Sequence, residues 1–427
     1  MAVGRRNFIL GAGGSLALVA AAGTWRVTRM PEKAIEPWQL DRDPPSDVRL
    51  DAFRHAILAP NPHNRQPWLI RLEGDNSATI TCDLDKRLPE TDPFDRQIVI
   101  GFGTFLELAR ITAAERGVRV DMTPFPDGEP QPRLDARPVA RLTFVADSTV
   151  RPDPLYQSIL MRRTNREIYS KTPPGISQLT ALSAGDVQTT LDPSVLGKLR
   201  IITVAAIAKE MLTHRTMMET VRLLRIGHDE IDATGDGLAL SGPMIEATRM
   251  LGLTTREKLA DPASTAFKIG LDGQRATYDS VPAALWITTP GNSRNGQLDA
   301  GRRYVRAALQ AAALGLSIHP MSQSLQEYPE MAEYLAAVHA LRLGLEGNPV
   351  GGCASSRMIR SASRRLPIPT RRARCLGRSA ARTPPPPTRR RATPSGRPRR
   401  RGAPPSRARP VGIPVARSPG GTARARW

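Results

Sequence analysis

The sequence predicts an α+β body of two similar halves, followed by a disordered tail. Three observations carry this reading. Helix-like and strand-like stretches alternate from Val48 to about residue 346. Twice a long helix ends at a glycine and runs into a strand: Ala113-Ala114-Glu115-Arg116-Gly117-Val118-Arg119-Val120, and Ala311-Ala312-Ala313-Leu314-Gly315-Leu316-Ser317-Ile318. Each glycine stands where a chain leaves a helix in the left-handed conformation. From Gly347 apolar periodicity stops, and residues 351–427 hold 21 Arg and 13 Pro without one Lys, Asp or Glu.

The elements follow in order. Residues 1–30 carry Arg5-Arg6-Asn7-Phe8-Ile9-Leu10 and an uncharged run to Gly23, the pattern of a twin-arginine export signal. This implies the export machinery as a partner, a periplasmic or cell-envelope location, and membrane association if the segment is retained as an anchor. Residues 31–46 read as a polar linker. The first half, 47–150, opens with Ser46-Asp47 as candidate caps of a helix over 48–59. Strands are expected at Trp68–Leu72, Ala78–Leu84 and from Val118, with a helix over Asp95–Arg116 between them. The second half, 151–346, is expected to open with a helix over 153–163. An insertion, Ser194–Ala260, then reads as a strand at Leu199–Val204 and a helix over Ala208–Ile226, broken at Gly235-Asp236-Gly237. It forms either a lid over a site or added packing. A strand at Ala284–Thr289, a helix over Asp299–Leu314 and a strand at Leu316–Ile318 complete the half. Residues 347–427 are the tail.

The formal charge of +21 suggests nucleic acid, but removing the tail's 21 Arg from 61 basic residues leaves 40 against 40 acidic residues. The body is neutral, and no specific nucleic-acid partner is expected for it. A tail of Arg without Lys reads as GC-rich DNA translated in a shifted frame, with a genuine basic arm as the rival. Cys82 alone precedes the tail, so the body has no internal disulfide and no thiolate metal cluster. The histidines lack metal-ligand spacing, and no metal site is assigned.

Two short motifs carry the chemistry. The first is Ala59-Pro60-Asn61-Pro62-His63-Asn64-Arg65-Gln66-Pro67-Trp68, which offers amides and an aromatic at the start of a strand. The second is Arg162-Arg163-Thr164-Asn165-Arg166, which offers guanidinium groups and a hydroxyl. On a helix Arg162 and Arg166, at i and i+4, would share a face and grip one phosphate. Together the motifs could hold a planar heterocycle at one end and a phosphate at the other.

The first motif resembles the Pro-Ser-x-x-Asn-x-Gln-Pro-Trp signature of nitroreductase-family flavoproteins, and the second their Arg-x-Ser-x-Lys/Arg phosphate motif. Asp299–Ile318 with Pro320-Met321-Ser322-Gln323 resembles the family's later helix, glycine turn and loop. The nearer likeness is to the Acg subfamily of fused, doubled nitroreductase-like proteins. The resemblance implies a nitroreductase-like fold in which two fused halves form a pseudo-dimer. It implies FMN as cofactor, with Asn61, His63 and Asn64 edging the ring and Arg162, Arg163, Thr164 and Arg166 at the phosphate. Gly315, Ser322 and Gln323 would set backbone amides near the reactive nitrogen of the flavin. Gln66-Pro67-Trp68 would fix the strand instead. No side chain is assigned a catalytic role, because a flavin transfers the electrons itself. The implied function is an exported FMN-dependent oxidoreductase passing electrons to a small nitroaromatic or quinone-like acceptor. A flavin-sequestering protein without turnover is the alternative.

Overall fold

A computed structural model describes residues 31–40, 44–183 and 187–346. The expected export signal and the Arg-rich tail lie outside the described residues. The stretch 31–40, read as linker, forms a short helix α1 (Glu32–Ile35) and a 3-10 turn (Glu36–Trp38).

The first half follows the sequence reading closely. Helix α2 (Val48–Ala56) starts at Asp47, whose carboxylate accepts from the Arg49 amide at 2.9 Å. Strands β1 (Trp68–Glu73) and β2 (Ser77–Cys82) pair antiparallel through a hairpin in which Gly74 has φ +51°. Helix α3 (Arg96–Glu115) follows, then β3 (Val118–Pro124) and β4 (Ala140–Ala146). The antiparallel sheet runs β1-β2-β4-β3. Helix α3 is apolar almost all round, as a core helix must be. Its Ile98, Phe102, Phe105, Leu106 and Ile111 are fully buried against the sheet and α2. Trp68 of β1 stacks on Phe105 with ring centroids 4.7 Å apart.

The second half departs from the sequence reading in its irregular parts. The helix expected over 153–163 is only a 3-10 turn, Pro154–Ser158. The chain beyond it is held by tertiary pairing: Thr164 bridges Ile318 in parallel, and the Asn165 amide donates to the Ile318 carbonyl at 3.2 Å. Leu316–Ile318 is therefore not a strand of its own but one half of that bridge. Helix α4 (Ile176–Leu182) and strand β5 (Val187–Thr190) come next. The strand expected at Leu199–Val204 lies inside helix α5 (Pro193–Leu212). Asp192 caps α5 through the amides of Ser194 and Val195, and Pro193 fills the first helical position. A cap and a well-placed proline outweigh the mild strand preference of Ile201, Ile202 and Val204. The helix expected over Ala208–Ile226 is broken at Thr213, whose backbone is extended. It becomes the end of α5, then α6 (His214–Leu223) and a strand β6 (Leu224–Ile226).

Helix α7 (His228–Ala233) leads to β7 (Leu238–Leu240), which pairs parallel with β6. Helices α8 (Pro243–Met250), α9 (Arg256–Ala260) and α10 (Thr265–Asp279) precede β8 (Ala284–Ile287), which pairs antiparallel with β5. Helix α11 (Arg294–Ala313) begins earlier than expected, because Ser293 caps it through the Gly296 amide. Helix α12 (Ala332–Glu346) closes the described chain.

Helices α3 and α11 are both 20 residues long, and their first residues, 96 and 294, are 198 apart. They cross in contact at Gly103 and Gly301, the same spacing (301 − 103 = 198). A Cβ on Gly103 would press into the Leu298 carbonyl and lie 3.0 Å from the Gly301 Cα; a Cβ on Gly301 would press into the Ile100 carbonyl. Glycine is needed at both points so that the two backbones can touch. Gly117 and Gly315, again 198 apart, end the two helices at φ +64° and +70°. The expected left-handed glycines are both present.

Candidate functional site

Residues of α3 (Gln97, Ile100, Gly101, Thr104) and of α11 (Ala300, Tyr304) help to line a cleft of about 1670 Å³. All ten residues named from the motifs line it: Asn61, His63, Asn64, Arg162, Arg163, Thr164, Arg166, Gly315, Ser322 and Gln323. They come from chain segments far apart in sequence. The first motif packs over α3, where Gly101 leaves room for it: a Cβ there would lie 3.2 Å from the Asn61 Cβ. The second motif is carried in by its bridge to Ile318.

The first motif is a strained turn. His63, Asn64 and Gln66 have φ of +48°, +49° and +50°. Left-handed backbone at non-glycine residues costs roughly 1 kcal/mol each and persists only where surroundings over-determine it. Here the side chains supply that constraint. The Asn61 carboxamide accepts from the Gln66 amide at 3.0 Å and donates to the Ala59 carbonyl at 3.0 Å. Gln66 donates to the Asn64 carboxamide at 2.8 Å and accepts from the Trp68 indole at 2.9 Å. Gln66-Pro67-Trp68 thus fixes strand and turn. The His63 Nδ1 is buried without a hydrogen-bond partner among the described residues. Burial, with Arg166 and Arg65 nearby, pushes its pKa down to about 4, so the ring is neutral at ordinary pH.

The three arginines of the second motif do different things. They do not share a helical face, since the segment is not helical; the i, i+4 expectation fails there. Arg162 is buried and donates to the Leu58 carbonyl at 2.9 Å. Arg163 lies with its guanidinium 3.6 Å from the centroid of the Trp38 ring. Arg166 is open to the cleft although protein surrounds it, and its guanidinium has no hydrogen-bond or carboxylate partner among the described residues. Burial lowers the pKa of all three, and at Arg162 the neighbouring Arg163 lowers it further. The cleft therefore holds uncompensated positive charge, which an anion would relieve.

Ser322 and Gln323 are both engaged by side chains. The Ser322 hydroxyl donates to Gln97 of α3 at 2.9 Å, and Gln323 accepts from the Tyr278 hydroxyl at 2.5 Å. Tyr278 meets His319 edge to face at 5.6 Å. Tyr278, His319, Glu210 and Trp38 all line the cleft, and sequence reading singled out none of them. No local pattern marks them; long-range packing brings them there.

Glu210 of α5 is buried, and desolvation raises its pKa to about 7, although the Gln326 and Gln323 amides pull it down. A carboxyl with a raised folded-state value stabilises the fold while protonated. That contribution is full below the unfolded value of 4.5 and is lost as pH rises through about 7. Thermal melts should therefore fall more between pH 5 and 8 for the native chain than for Glu210→Gln, which carries no titrating group; parallel curves would contradict this.

The insertion is fastened over the first motif. Asp236, within its glycine break, pairs with Arg65 at 2.9 Å and Arg225 at 2.7 Å, and with Lys86. The Gly237 amide donates to the Asn64 carbonyl at 3.0 Å. Glu219 accepts from the Thr91 amide at 2.9 Å and hydroxyl at 2.6 Å.

No family model matches the chain. It is similar over 299 residues, at 27% identity, to a Mycobacterium tuberculosis (H37Rv) protein provisionally named the NAD(P)H nitroreductase Rv3131. The match covers 69% of this chain and 80% of that protein. The chain is thus similar to proteins that carry a nitroreductase name. A second such protein of that organism, provisionally named the NAD(P)H nitroreductase acg, is 30% identical over 129 residues, 30% of this chain and 38% of that protein. A nitroreductase relative agrees with the mixed helix-and-strand body described above.

Proposed function

We propose that the chain is a flavin-dependent oxidoreductase of nitroreductase type that holds one FMN in the cleft. The observation that carries this is the Arg166 guanidinium facing His63, with Arg162 and Arg163 lining the same cleft and no carboxylate paired to any of the three among the described residues. Anions bind where cations are pre-placed and uncompensated. At about 1670 Å³ the cleft exceeds the roughly 300–1,000 Å³ of ordinary ligand sites, leaving room for cofactor and acceptor together. Names borne by the relatives support the redox reading.

In this reading Arg166, Thr164 and the edge of Arg163 hold the phosphate, and the Asn61–Asn64 turn edges the ring. FMN would supply the two-electron chemistry. The chain's own residues hold and shield: neutral His63 and His319 add no competing charge, and the fastened insertion limits water. We read the crossed helices α3 and α11, with their 198-residue repeat, as two fused copies that complete one site. Export through the N-terminal segment and a nitroaromatic or quinone-like acceptor belong to the same proposal. The latching of the insertion through Asp236 and Gly237 favours a second reading, sequestration of flavin without turnover. Anaerobic titration of the FMN-loaded protein with NADPH separates them. Bleaching at 450 nm, roughly the flavin band, with reoxidation by menadione supports the oxidoreductase. Bleaching by dithionite alone supports sequestration, and failure to bind FMN rules out both.

Trp38 closes one side of this site. Its ring covers Arg163 and lies 5.9 Å from Arg162. Such a contact contributes about 0.5–1 kcal/mol when partly exposed. Trp38→Ala should speed FMN release about threefold or more, with Trp38→Phe intermediate. Stopped-flow dilution measures it, and equal rates in all three proteins would contradict the assignment.

A further inference from the structure

Helix α8 is built inside out. Its Glu246 faces inward, 2% exposed, and accepts from the His228 amide at 2.6 Å. Its outward side carries Met244, 74% exposed, and Met250, 63% exposed, with Ala247 also exposed between them. The turn that follows adds Leu251 at 73% and Leu253 at 52%. A helix at the surface of a soluble body ordinarily shows the opposite arrangement. Lone exposed apolar residues need no explanation, but four large ones within ten positions form a patch that seeks a cover.

The position of the patch says what covers it. The Ala34 amide of α1 donates to the Asp232 carboxylate of α7 at 3.2 Å, and α7 is joined to α8 through His228 and Glu246. The chain therefore enters the described body beside α7, the helix to which α8 is joined. Residues 7–25 contain no charged side chain, and Arg26 and Arg29 lie between them and Pro31. Eight residues from Gly23 to Pro31 reach at most roughly 28 Å when extended. A membrane holding the apolar run would be tethered close to this side of the body. Exposed Lys258, whose ammonium donates to the Gly252 carbonyl at 2.7 Å, sits at the rim of the tip, where cations favour headgroups. The Arg-rich tail is a poor cover for methionine and leucine.

We propose that α8 and the turn after it, through Met244, Met250, Leu251 and Leu253, dip into the interface of a phospholipid bilayer. This rests on residues 7–23 being directed to the membrane, and the test separates the two. The full chain is mixed with phosphatidylcholine vesicles, whose neutral surface gives the Arg tail nothing to bind. Vesicle binding is read by flotation. Burial of the tip is read by mass spectrometry of methionine oxidation under dilute peroxide, because oxidation follows exposure. In buffer alone Met244 and Met250 should oxidise as fast as Met161, which is 62% exposed. On vesicles their rates should fall at least fivefold. In Leu251→Ser/Leu253→Ser, a change at exposed positions that leaves both reporters in place, the chain should still float while the protection is lost. Flotation without protection would overturn the proposal and leave the N-terminal reading intact; no flotation would overturn both. Slow oxidation already in buffer would show that a second copy or the chain's own apolar run covers the patch, and would also overturn it.

Discussion

Alanine at Gly103 or at Gly301 is expected to destabilise the body by about 3 kcal/mol, lowering its melting temperature by about 5 °C. A methyl group at either position would meet a backbone carbonyl of the opposing helix rather than a yielding side chain. Relief requires the helices to separate, and their separation opens the core on either side of Val305 and Phe102, both fully buried. The two helix-ending glycines make the comparison informative. A Cβ on Gly117 or Gly315 would meet nothing within 4 Å, so alanine there costs only the left-handed strain, about 1 kcal/mol. Asparagine, which tolerates that conformation, should cost less still. If Gly103→Ala and Gly117→Ala melted alike by calorimetry, the close crossing would not be the joint that holds α3 against α11.

Arg166→Ala is expected to weaken FMN binding by about 1.5–3 kcal/mol, tenfold to a hundredfold or more in Kd, while leaving the melting temperature of the free protein unchanged. Among the described residues the side chain has no hydrogen bond or carboxylate pair to lose. Arg162→Ala should behave differently. Its guanidinium donates to the Leu58 carbonyl, so removing it leaves a buried acceptor unpaired and costs stability of about 1–3 kcal/mol as well as affinity. The pair of substitutions should abolish retention of flavin through purification. Equilibrium dialysis with FMN, alongside melts of the flavin-free proteins, resolves the two contributions. Unchanged affinity in Arg166→Ala would remove the phosphate from this corner of the cleft.

What could be read in the chain, and what could not, follows from the range of the interactions involved. Asp47 as a cap and Gly117 and Gly315 as helix exits are decided by neighbours a few residues away, and they are legible as such. Trp68 and Gln66 are placed by side-chain bonds of Asn61, Asn64, Gln66 and Trp68 that all run between residues 59 and 68. The two motifs pointed to one cleft because their residue types already suited a ring and a phosphate. The shape of the second motif was not legible, because its backbone is set by Ile318, more than 150 positions away. Leu199–Val204 misled because strand propensity is a weak prior against an Asp-Pro helix start. Trp38 looked like linker, since its reason for order is Arg163, across the fold. Glu210 and Tyr278 carry no pattern at all; they become site residues only when α5 and α10 pack together.

The central claim is that both halves of the chain converge on one flavin. The most direct measurement is the visible absorption spectrum of the protein after incubation with FMN and removal of free cofactor. One bound FMN per chain in the native protein, and a colourless Arg162→Ala/Arg166→Ala variant, is the expected result. A native protein that stays colourless after reconstitution, or a variant that binds as much flavin as the native chain, would contradict it.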